Sequence, residues 1–252
     1  PPGVPQHHLC WVHATGIQAV NEGDSASRPA TIAAQFARID RALGRLVDAV
    51  ERPDVLLAVT VGGGTERLLR SVEAQQSGAF PEELVRTPLV VRPAGPARIG
   101  QRRGELVQTV DLLPTLLDCF DVDVVPAEFH GRSLVPLIRG EAPEWRRYIC
   151  LVDGDQARAI RTDDFQLVQV HETAQAVEPD SGEWQELLFS RPDDPWNIVD
   201  VLGQYPDQAD RLRTTLEQFI AWARSGAATP PPSLSGSASE LPPPGSRPGE
   251  SS

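Results

Sequence analysis

Lysine is absent from this chain. All 23 of its basic residues are arginine, which excludes every mechanism that requires a lysine amine. Methionine is absent as well, so we expect a fragment or a processed chain. No apolar run reaches about 18 residues, the length that a membrane-spanning helix needs, and we therefore predict no membrane span.

Positive charge and cysteine are also scarce. The formal net charge is −12, whereas nucleic-acid binding needs clustered basic residues to neutralise phosphates, so we predict no nucleic-acid partner. Cys10, Cys119 and Cys150 form no close pairing motif, and we predict buried free thiols rather than a disulfide or a nucleophile. With 252 residues, of which 40% are hydrophobic, the chain has ample material for a core.

One stretch organises the expected fold, at residues 54–66, with the sequence DVLLAVTVGGGTE. Its apolar run stops at three glycines, which is typical of a buried strand that ends in a loop at the carboxyl edge of a parallel sheet. Ligands of open α/β sheets bind at that edge. An amphipathic helix capped by Thr31 is predicted before it. Its apolar stripe comprises Ile32, Phe36, Ile39, Leu43, Leu46, Val47 and Val50.

We predict an α/β fold in which residues 1–145 form a mostly parallel sheet flanked by helices. The first helix joins two strand-like segments, which suggests a parallel βαβ unit. A second helix should begin near Asp111, because Pro114 is tolerated only in a first helical turn. The expected strands are at residues 7–14, 55–61 and 87–92.

The character of the sequence changes near residue 146. Residues 146–224 should form a small antiparallel sheet with a C-terminal helix at 207–224, since short apolar runs alternate with turn residues. Residues 225–252 are rich in Pro, Ser and Gly and should be a disordered tail. The expected strands of this subdomain lie at residues 148–152, 158–162 and 165–170 and within 186–200.

Several segments follow one another in an order that a known family shares. They are FARIDRALGRLVDAVE (36–51), EELVRTPLVVRPAG (82–95), VQTVDLLPTLLDCFDV (107–122), GRSLVPLIRG (131–140), RAIRTDDFQLV (158–168) and ELLFSRPDDPWNIVDV (186–201). Together they resemble the carboxyl half of the sulfatase family, in the alkaline phosphatase superfamily. Members of that family carry VDLLPTLLD-like, GxSLxPLLxG, RAIRTDxWKLI and ELYDLxxDPxExxNL segments in this order. The resemblance covers about residues 8–222.

The resemblance implies hydrolysis of sulfuric esters. The family uses a formylglycine made within a C/S-x-P-x-R motif, a divalent metal that is usually calcium, and Lys and His residues at the sulfate. The metal and the cations neutralise charge on the sulfuryl oxygens, while an acid helps the alcohol to leave. The C/S-x-P-x-R motif is absent here, and the resemblance assigns it to an amino half that we expect this chain to lack.

The residues that match the family's active site depart from its pattern. Gly62 and Gly63 stand where the family has the Asp and His of S-D-H-G, and glycine offers no side-chain ligand. The family lysine expected between residues 66 and 80 cannot exist here. HLCWVHATGIQ resembles fLWVHyfDPH, with His13 at the first histidine and Gln18 at the second, active-site one. We therefore expect no metal or cofactor in this chain, and His13 is either a residual catalytic group or a satisfied strand-end histidine.

Three interpretations of the function remain open. The preferred one is a catalytically inactive sulfatase-like pseudoenzyme, and the second is the scaffold half of an active sulfatase or phosphoesterase whose nucleophile lies in a missing amino half. The third is an anion- or nucleotide-binding module that uses the loop from Gly62 to Thr65. The expected partner is a sulfated or phosphorylated small molecule or glycan. The resemblance also implies a periplasmic or secreted setting, because family members are often exported.

Other charged residues allow both a structural and a functional interpretation. Asp111 is best explained as an acid at a helix N-terminus, where it is favourable to the dipole. The aspartate pairs 153/155 and 163/164 could hold calcium, but turn-like surroundings favour solvated turns. The cluster of Arg92, Arg98, Arg102 and Arg103 could bind an anion, with a solvated loop as the default.

Overall fold

The computed structural model describes a large part of the chain. The described residues are 8–13, 28–61, 80, 85–95, 100–122, 129–141, 144–171, 184–226, 229 and 231–234. Among them, no helix is both long and apolar enough to cross a lipid bilayer.

The first long element is helix α1, Arg28–Ala49. It begins three residues before the predicted cap at Thr31, because Pro29 fits a first helical turn, where its missing N–H has no intrahelical partner to lose. The strand predicted at residues 7–14 is wrong for the described residues 8–13, which contain no strand and are all exposed. A strand needs a neighbour to bond with, and no described strand pairs with this segment.

Two short strands follow, β1 (Leu57–Thr60) and β2 (Leu89–Arg92), as predicted from their apolar runs. They pair antiparallel, with Leu57 opposite Arg92 and Thr60 opposite Leu89. The parallel sheet predicted for residues 1–145 is therefore not shown by the described residues, because an apolar run indicates burial but not the direction of pairing. Arg92 connects the sheet to the end of α1 by donating a hydrogen bond to the Val50 carbonyl at 2.5 Å.

A compact helical segment comes next. A 3-10 turn at Thr109–Asp111 leads directly into helix α2, Leu112–Cys119, which places Pro114 in its first turn as predicted. Helix α3, Val135–Arg139, lies within the family-like segment GRSLVPLIRG at residues 131–140. Gly131 approaches the preceding turn so closely that an added Cβ would lie 2.0 Å from the Val110 carbonyl oxygen, so only glycine fits there.

The carboxyl subdomain contains a four-stranded antiparallel sheet in sequence order, and this part of the prediction is confirmed. The Thr162 hydroxyl shapes the turn between the second and third strands of this sheet by accepting hydrogen bonds from the backbone N–H groups of Asp164 and Phe165. The elements are β3 (Ile149–Asp153), β4 (Ala157–Arg161), β5 (Phe165–His171), β6 (Trp184–Ser190) and helix α4 (Pro206–Ser225).

The core of the subdomain lies between this sheet and α4. Alternate strand residues point to opposite faces, and one face meets the apolar side of α4. The opposite face buries a smaller cluster of Ala159, Val168 and Phe189, against which Phe80 packs. The main cluster comprises Tyr148, Ile160, Leu167, Leu188, Val201, Ala209, Leu212 and Leu216.

Part of the tail predicted to be disordered contacts this core. α4 ends at Ser225, and its C-cap residue Gly226 has a left-handed φ of 62°. Beyond it, Leu234 packs against the main cluster, and the Tyr148 hydroxyl donates a hydrogen bond to the Pro232 carbonyl. The prediction is therefore wrong for residues 231–234, because composition reports the cost of ordering a segment but not the folded surface available to it. Residues 235–252 lie outside the described part of the chain.

Candidate functional site

The two glycines predicted to replace the family's metal ligands follow strand β1. That strand ends at Thr60, and Val61 after it is exposed. Gly62 and Gly63, and the rest of the loop to Thr65, lie outside the described residues. Their arrangement stays a prediction, but their chemistry is fixed by the sequence, since glycine carries no side-chain donor.

His13 stays a prediction as a catalytic residue. It is described and exposed, within a segment that forms no strand. In the parts of the chain that the structure describes, no group of three or more His, Cys, Asp or Glu side chains is placed to hold a metal ion. The aspartate pairs at the two strand turns are among these residues, and their interpretation as solvated turns stays a prediction.

The three cysteines are free thiols, as predicted. Two of them, Cys10 and Cys119, are exposed, so the prediction of burial is wrong for these and holds better for the partly buried Cys150. Burial raises the pKa of the Cys150 thiol far above its ordinary value. Burial and the neighbouring Asp118 also raise the pKa of Cys119. Neither thiol is therefore activated as a thiolate nucleophile.

The structure brings charged side chains together at a cavity of about 290 Å³. The cavity lies where five segments meet: the one before the 3-10 turn, the one before β3, the β4–β5 turn, helix α4 and the tail. Trp145 and Leu234 supply apolar wall, while the charged groups are three arginines and three carboxylates, so no single sign of charge dominates. The charged residues are Glu105, Arg146, Arg147, Asp163, Asp164 and Arg211.

Arg146 is held in place by the carboxylate of Asp111. Its two terminal nitrogens donate to the two oxygens of Asp111, at 2.5 and 3.0 Å. The pair is well shielded from water, with the Arg146 side chain 11% exposed and Asp111 fully buried. Such bidentate pairs are strong and geometrically specific, so this guanidinium is committed to the fold rather than available to a ligand.

Asp111 also accepts two backbone hydrogen bonds. The Arg132 N–H donates to one oxygen at 2.8 Å, and the Gln108 N–H donates to the other at 2.7 Å. The expectation of an acid at a helix N-terminus holds, because this carboxylate completes a capping box with Gln108. No sequence signal pointed to Arg146, which lies 35 residues away in a segment without periodicity. Asp111 thus joins two of the family-like segments, 107–122 and 131–140, to Arg146 at one buried point.

A second buried arginine, Arg191, serves a similar structural purpose. It donates to the Gln166 side-chain oxygen at 2.7 Å and to the side-chain oxygen of Asn197. The side-chain nitrogens of Gln166 and Asn197 in turn lie 3.4 and 3.5 Å from the Phe80 carbonyl. The segment at residues 186–201 is thereby held at Arg191 and Asn197, again through partners that the sequence pattern did not identify.

The carboxylates at the cavity mouth are less constrained. Partial burial raises the pKa of Asp163, and the neighbouring charge of Asp164 raises it further. The described cavity residues offer hydrogen-bonding and ionic groups on a partly aromatic wall, an arrangement suited to binding a polar ligand. Thr162 is the hydroxyl-bearing side chain among the described lining residues, and it is already engaged at the turn.

Comparison with protein families identifies one match. The model described as "N-sulphoglucosamine sulphohydrolase, C-terminal" matches residues 79–221. A curated relative, N-acetylglucosamine-6-O-sulfatase of Bacteroides thetaiotaomicron, is 27% identical over 150 residues, which are 54% of this chain and 25% of that protein. The chain thus spans about a quarter of the curated relative that it matches.

Solved structures share the fold at low sequence identity. One, solved in complex with its substrate D-glucosamine-2-N,6-O-disulfate, has a TM-score of 0.54 and 19% identity over 77% of this chain and 40% of its own. The phosphonate monoester hydrolase of Silicibacter pomeroyi has a TM-score of 0.55 and 20% identity, over 78% and 40% of the two chains. A putative sulfatase of Bacteroides fragilis has a TM-score of 0.53 and 18% identity, over 77% and 41%. The architecture is therefore that of the carboxyl part of sulfatase-like hydrolases.

Proposed function

Because the chain belongs to the family of N-sulphoglucosamine sulphohydrolase C-terminal domains, we propose that it is the carboxyl part of a sulfatase-like pseudoenzyme. In this proposal the protein recognises a sulfated or phosphorylated sugar and does not hydrolyse it. One observation carries the proposal: strand β1 ends at Thr60, and the positions that should then supply metal ligands are Gly62 and Gly63.

The residues present do not fit the family's calcium ion. Calcium takes about six to eight oxygen ligands, and carboxylates supply much of its affinity. Two glycines in succession remove the carboxylate and the imidazole together, and the chain contains no lysine to bind the sulfate. We therefore derive no step through calcium or formylglycine for this chain.

The retained segments support a role in folding rather than in chemistry. Asp111, Arg146 and Arg132 meet at one buried carboxylate, while Arg191 and Asn197 meet at another buried site. All of these residues except Arg146 fall within family-like segments, and each has hydrogen-bond partners within the protein. A fold can thus persist after the metal half-site has been lost.

The nature of the ligand is inferred from the relatives. One solved neighbour holds D-glucosamine-2-N,6-O-disulfate as its substrate, and the curated relative is named for N-acetylglucosamine 6-sulfate esters. The mixed-charge cavity beside Trp145 would suit such a polar ring, because sugars combine apolar faces with many hydrogen-bonding groups.

Calorimetric calcium titration of the complete gene product tests the proposal. We expect no binding heat and no hydrolysis of an aryl sulfate by the natural protein, with measurable binding of glucosamine 6-sulfate. The Gly62→Asp/Gly63→His variant should gain calcium binding. A charge-matched control, Gly203→Asp/Gly104→His, adds the same side chains at two positions with open space around them and should gain none.

The alternatives predict other outcomes of these measurements. Tight calcium binding with aryl sulfate hydrolysis by the natural protein would overturn the proposal and favour the scaffold half of a working hydrolase. Stabilisation by inorganic phosphate that is lost on substitution of Gly63 and Gly64, with no sugar binding, would favour the anion-binding module.

A further inference from the structure

Three aromatic side chains form a row on one side of the carboxyl subdomain. Tyr148 and Phe219 meet edge to face with ring centres 6.1 Å apart, and Phe219 and Trp222 meet at 5.3 Å. His130 extends the row with an edge contact to Trp222 at 5.1 Å. Rows of aromatic rings that carry hydrogen-bond donors are a recurring way to bind proline-rich segments. We name Tyr148, Phe219 and Trp222 the aromatic row.

We propose that the aromatic row is a binding surface for a proline-rich segment, and that this chain fills it with its own residues 229–234. The sequence of that segment is TPPPSL. It follows α4 and the left-handed C-cap of that helix at Gly226.

Two side-chain donors of the row bind backbone carbonyls of this segment. The Trp222 indole N–H donates to the Thr229 carbonyl at 2.9 Å, and the Tyr148 hydroxyl donates to the Pro232 carbonyl. A proline-rich segment makes no hydrogen bonds within itself, so its carbonyls are free to accept from such donors. Burial raises the pKa of the Tyr148 hydroxyl well above its ordinary value, so the group remains a donor in neutral and mildly basic solution.

The end of the segment carries an apolar anchor. Leu234 packs against the main core cluster, which includes Tyr148 and Leu212, and also forms part of the cavity wall. Proline lowers the entropy that the free segment loses on binding, which helps a short segment to stay in place. The bound segment therefore closes one side of the cavity, and its release would open the cavity to solvent.

Limited proteolysis of the complete chain measures how often the segment leaves the row. Thermolysin cuts before leucine, and cleavage before Leu234 with the rest of the chain intact reports local release. We expect Tyr148→Phe, which removes only the hydroxyl, to accelerate this cleavage about fivefold, the effect of one lost hydrogen bond. The matched control is Tyr205→Phe, at the chain's other tyrosine, whose ring packs on Phe165. This substitution should leave the rate of cleavage before Leu234 unchanged.

A second experiment separates the binding surface from general stability. A variant that ends at Gly226 should bind the synthetic peptide AATPPPSLSG, followed by Trp222 fluorescence, while the complete chain should not. A peptide with alanine in place of its three prolines should bind the shortened variant at least tenfold more weakly. Urea unfolding of each variant establishes that the proteins compared are folded.

Three results would overturn the proposal. The first is equal cleavage before Leu234 in the natural chain and in Tyr148→Phe. The second is a folded shortened variant that does not bind the peptide. The third is a dimer, seen by light scattering, that disappears on deletion of residues 227–252, since the segment would then come from a second copy.

Discussion

The described residues before Asp111 and those after it contain similar fractions of apolar residues, but their side chains differ in burial. Wherever burial is described before Asp111, every residue is exposed or only partly buried. Beyond it, Ile160, Leu167, Leu188 and Leu216 are completely buried. α1 carries the apolar stripe predicted for it, yet Phe36 in that stripe is 55% exposed.

The difference shows that an apolar pattern is a requirement for a core but does not create one. An isolated two-stranded sheet is marginal in water, and β1 and β2 have no third described strand. The carboxyl subdomain instead closes a four-stranded sheet against a twenty-residue helix, so the apolar side chains of its main cluster are buried against one another. Stability should therefore depend on the carboxyl region and on the polar groups that attach the rest of the chain to it.

The largest expected effect comes from breaking that attachment at Arg146. Arg146→Ala leaves the fully buried Asp111 carboxylate without its cation, and we expect a loss of about 3–5 kcal/mol in the free energy of unfolding, measured by urea denaturation. Arg52→Ala, at a fully exposed arginine paired with Asp54, is the matched control and should show no measurable change. Equal effects of the two substitutions would show that burial does not distinguish these pairs.

A smaller effect should distinguish the buried apolar residues of the carboxyl subdomain from the exposed ones of α1. Leu216→Ala empties a site that is completely buried, and we expect a cost of about 2–4 kcal/mol. Phe36→Ala removes more atoms from α1 but should cost less than about 0.5 kcal/mol in this chain, as is usual for exposed sites. Thermal and urea unfolding of both variants measure the contrast. A large cost at Phe36 would mean that α1 buries its stripe in solution and that the two regions resemble each other.

The smallest effect concerns pH. Hydrogen bonds from Arg213 lower the pKa of Glu186, and Gln169 contributes in the same direction. A carboxylate with a lowered folded pKa stabilises the protein above its unfolded pKa of about 4.3, and the contribution is lost as the pH falls through the folded value. We therefore expect Glu186→Gln to be less stable than the natural chain near neutral pH and to approach it below about pH 4.

The control for this pH dependence lies in the other region. Asp54 is fully exposed beside Arg52, and Asp54→Asn should leave the pH profile unchanged. A profile altered more by Asp54→Asn than by Glu186→Gln would contradict the assignment of the pH-sensitive stability to the carboxyl subdomain.

Asp163, in the same subdomain as Glu186, should affect the pH dependence of stability with the opposite sign. Its pKa is raised, mainly by partial burial, so its ionisation opposes folding as the pH rises. Asp163→Asn should consequently be slightly more stable than the natural chain at neutral pH, with the gain disappearing in acid. Because this side chain is largely exposed, the gain should be well below that of a buried group.

Much of the carboxyl subdomain was predictable from the sequence. The strands alternate in hydrophobicity, the turn at residues 163–164 separates two runs, and α4 shows an apolar face at helical spacing. All of these are local signals. The helix beginning near Asp111 was predictable for the same reason, from a proline placed where only a first turn accepts it.

The sequence did not predict which distant residues would contact one another. Antiparallel pairing of β1 with β2, the cation at Asp111 and the contacts of Arg191 all join residues far apart along the chain. The candidate site likewise combines features that residue identity determines with features that depend on the tertiary structure. The absence of side-chain ligands at Gly62 and Gly63 follows from residue identity alone, whereas the cavity beside Trp145 exists only because five separate segments meet there.

The sequence by itself determined the family-like segments, the absence of lysine, the absence of side-chain ligands at Gly62 and Gly63, and the local elements of the carboxyl region. All of these depend on residue identity and short-range periodicity. Only the tertiary structure decided which apolar faces are buried, which arginines are committed to carboxylates, and that a proline-rich tail segment lies on an aromatic row. Those outcomes depend on which distant surfaces meet, and neither composition nor spacing contains that information.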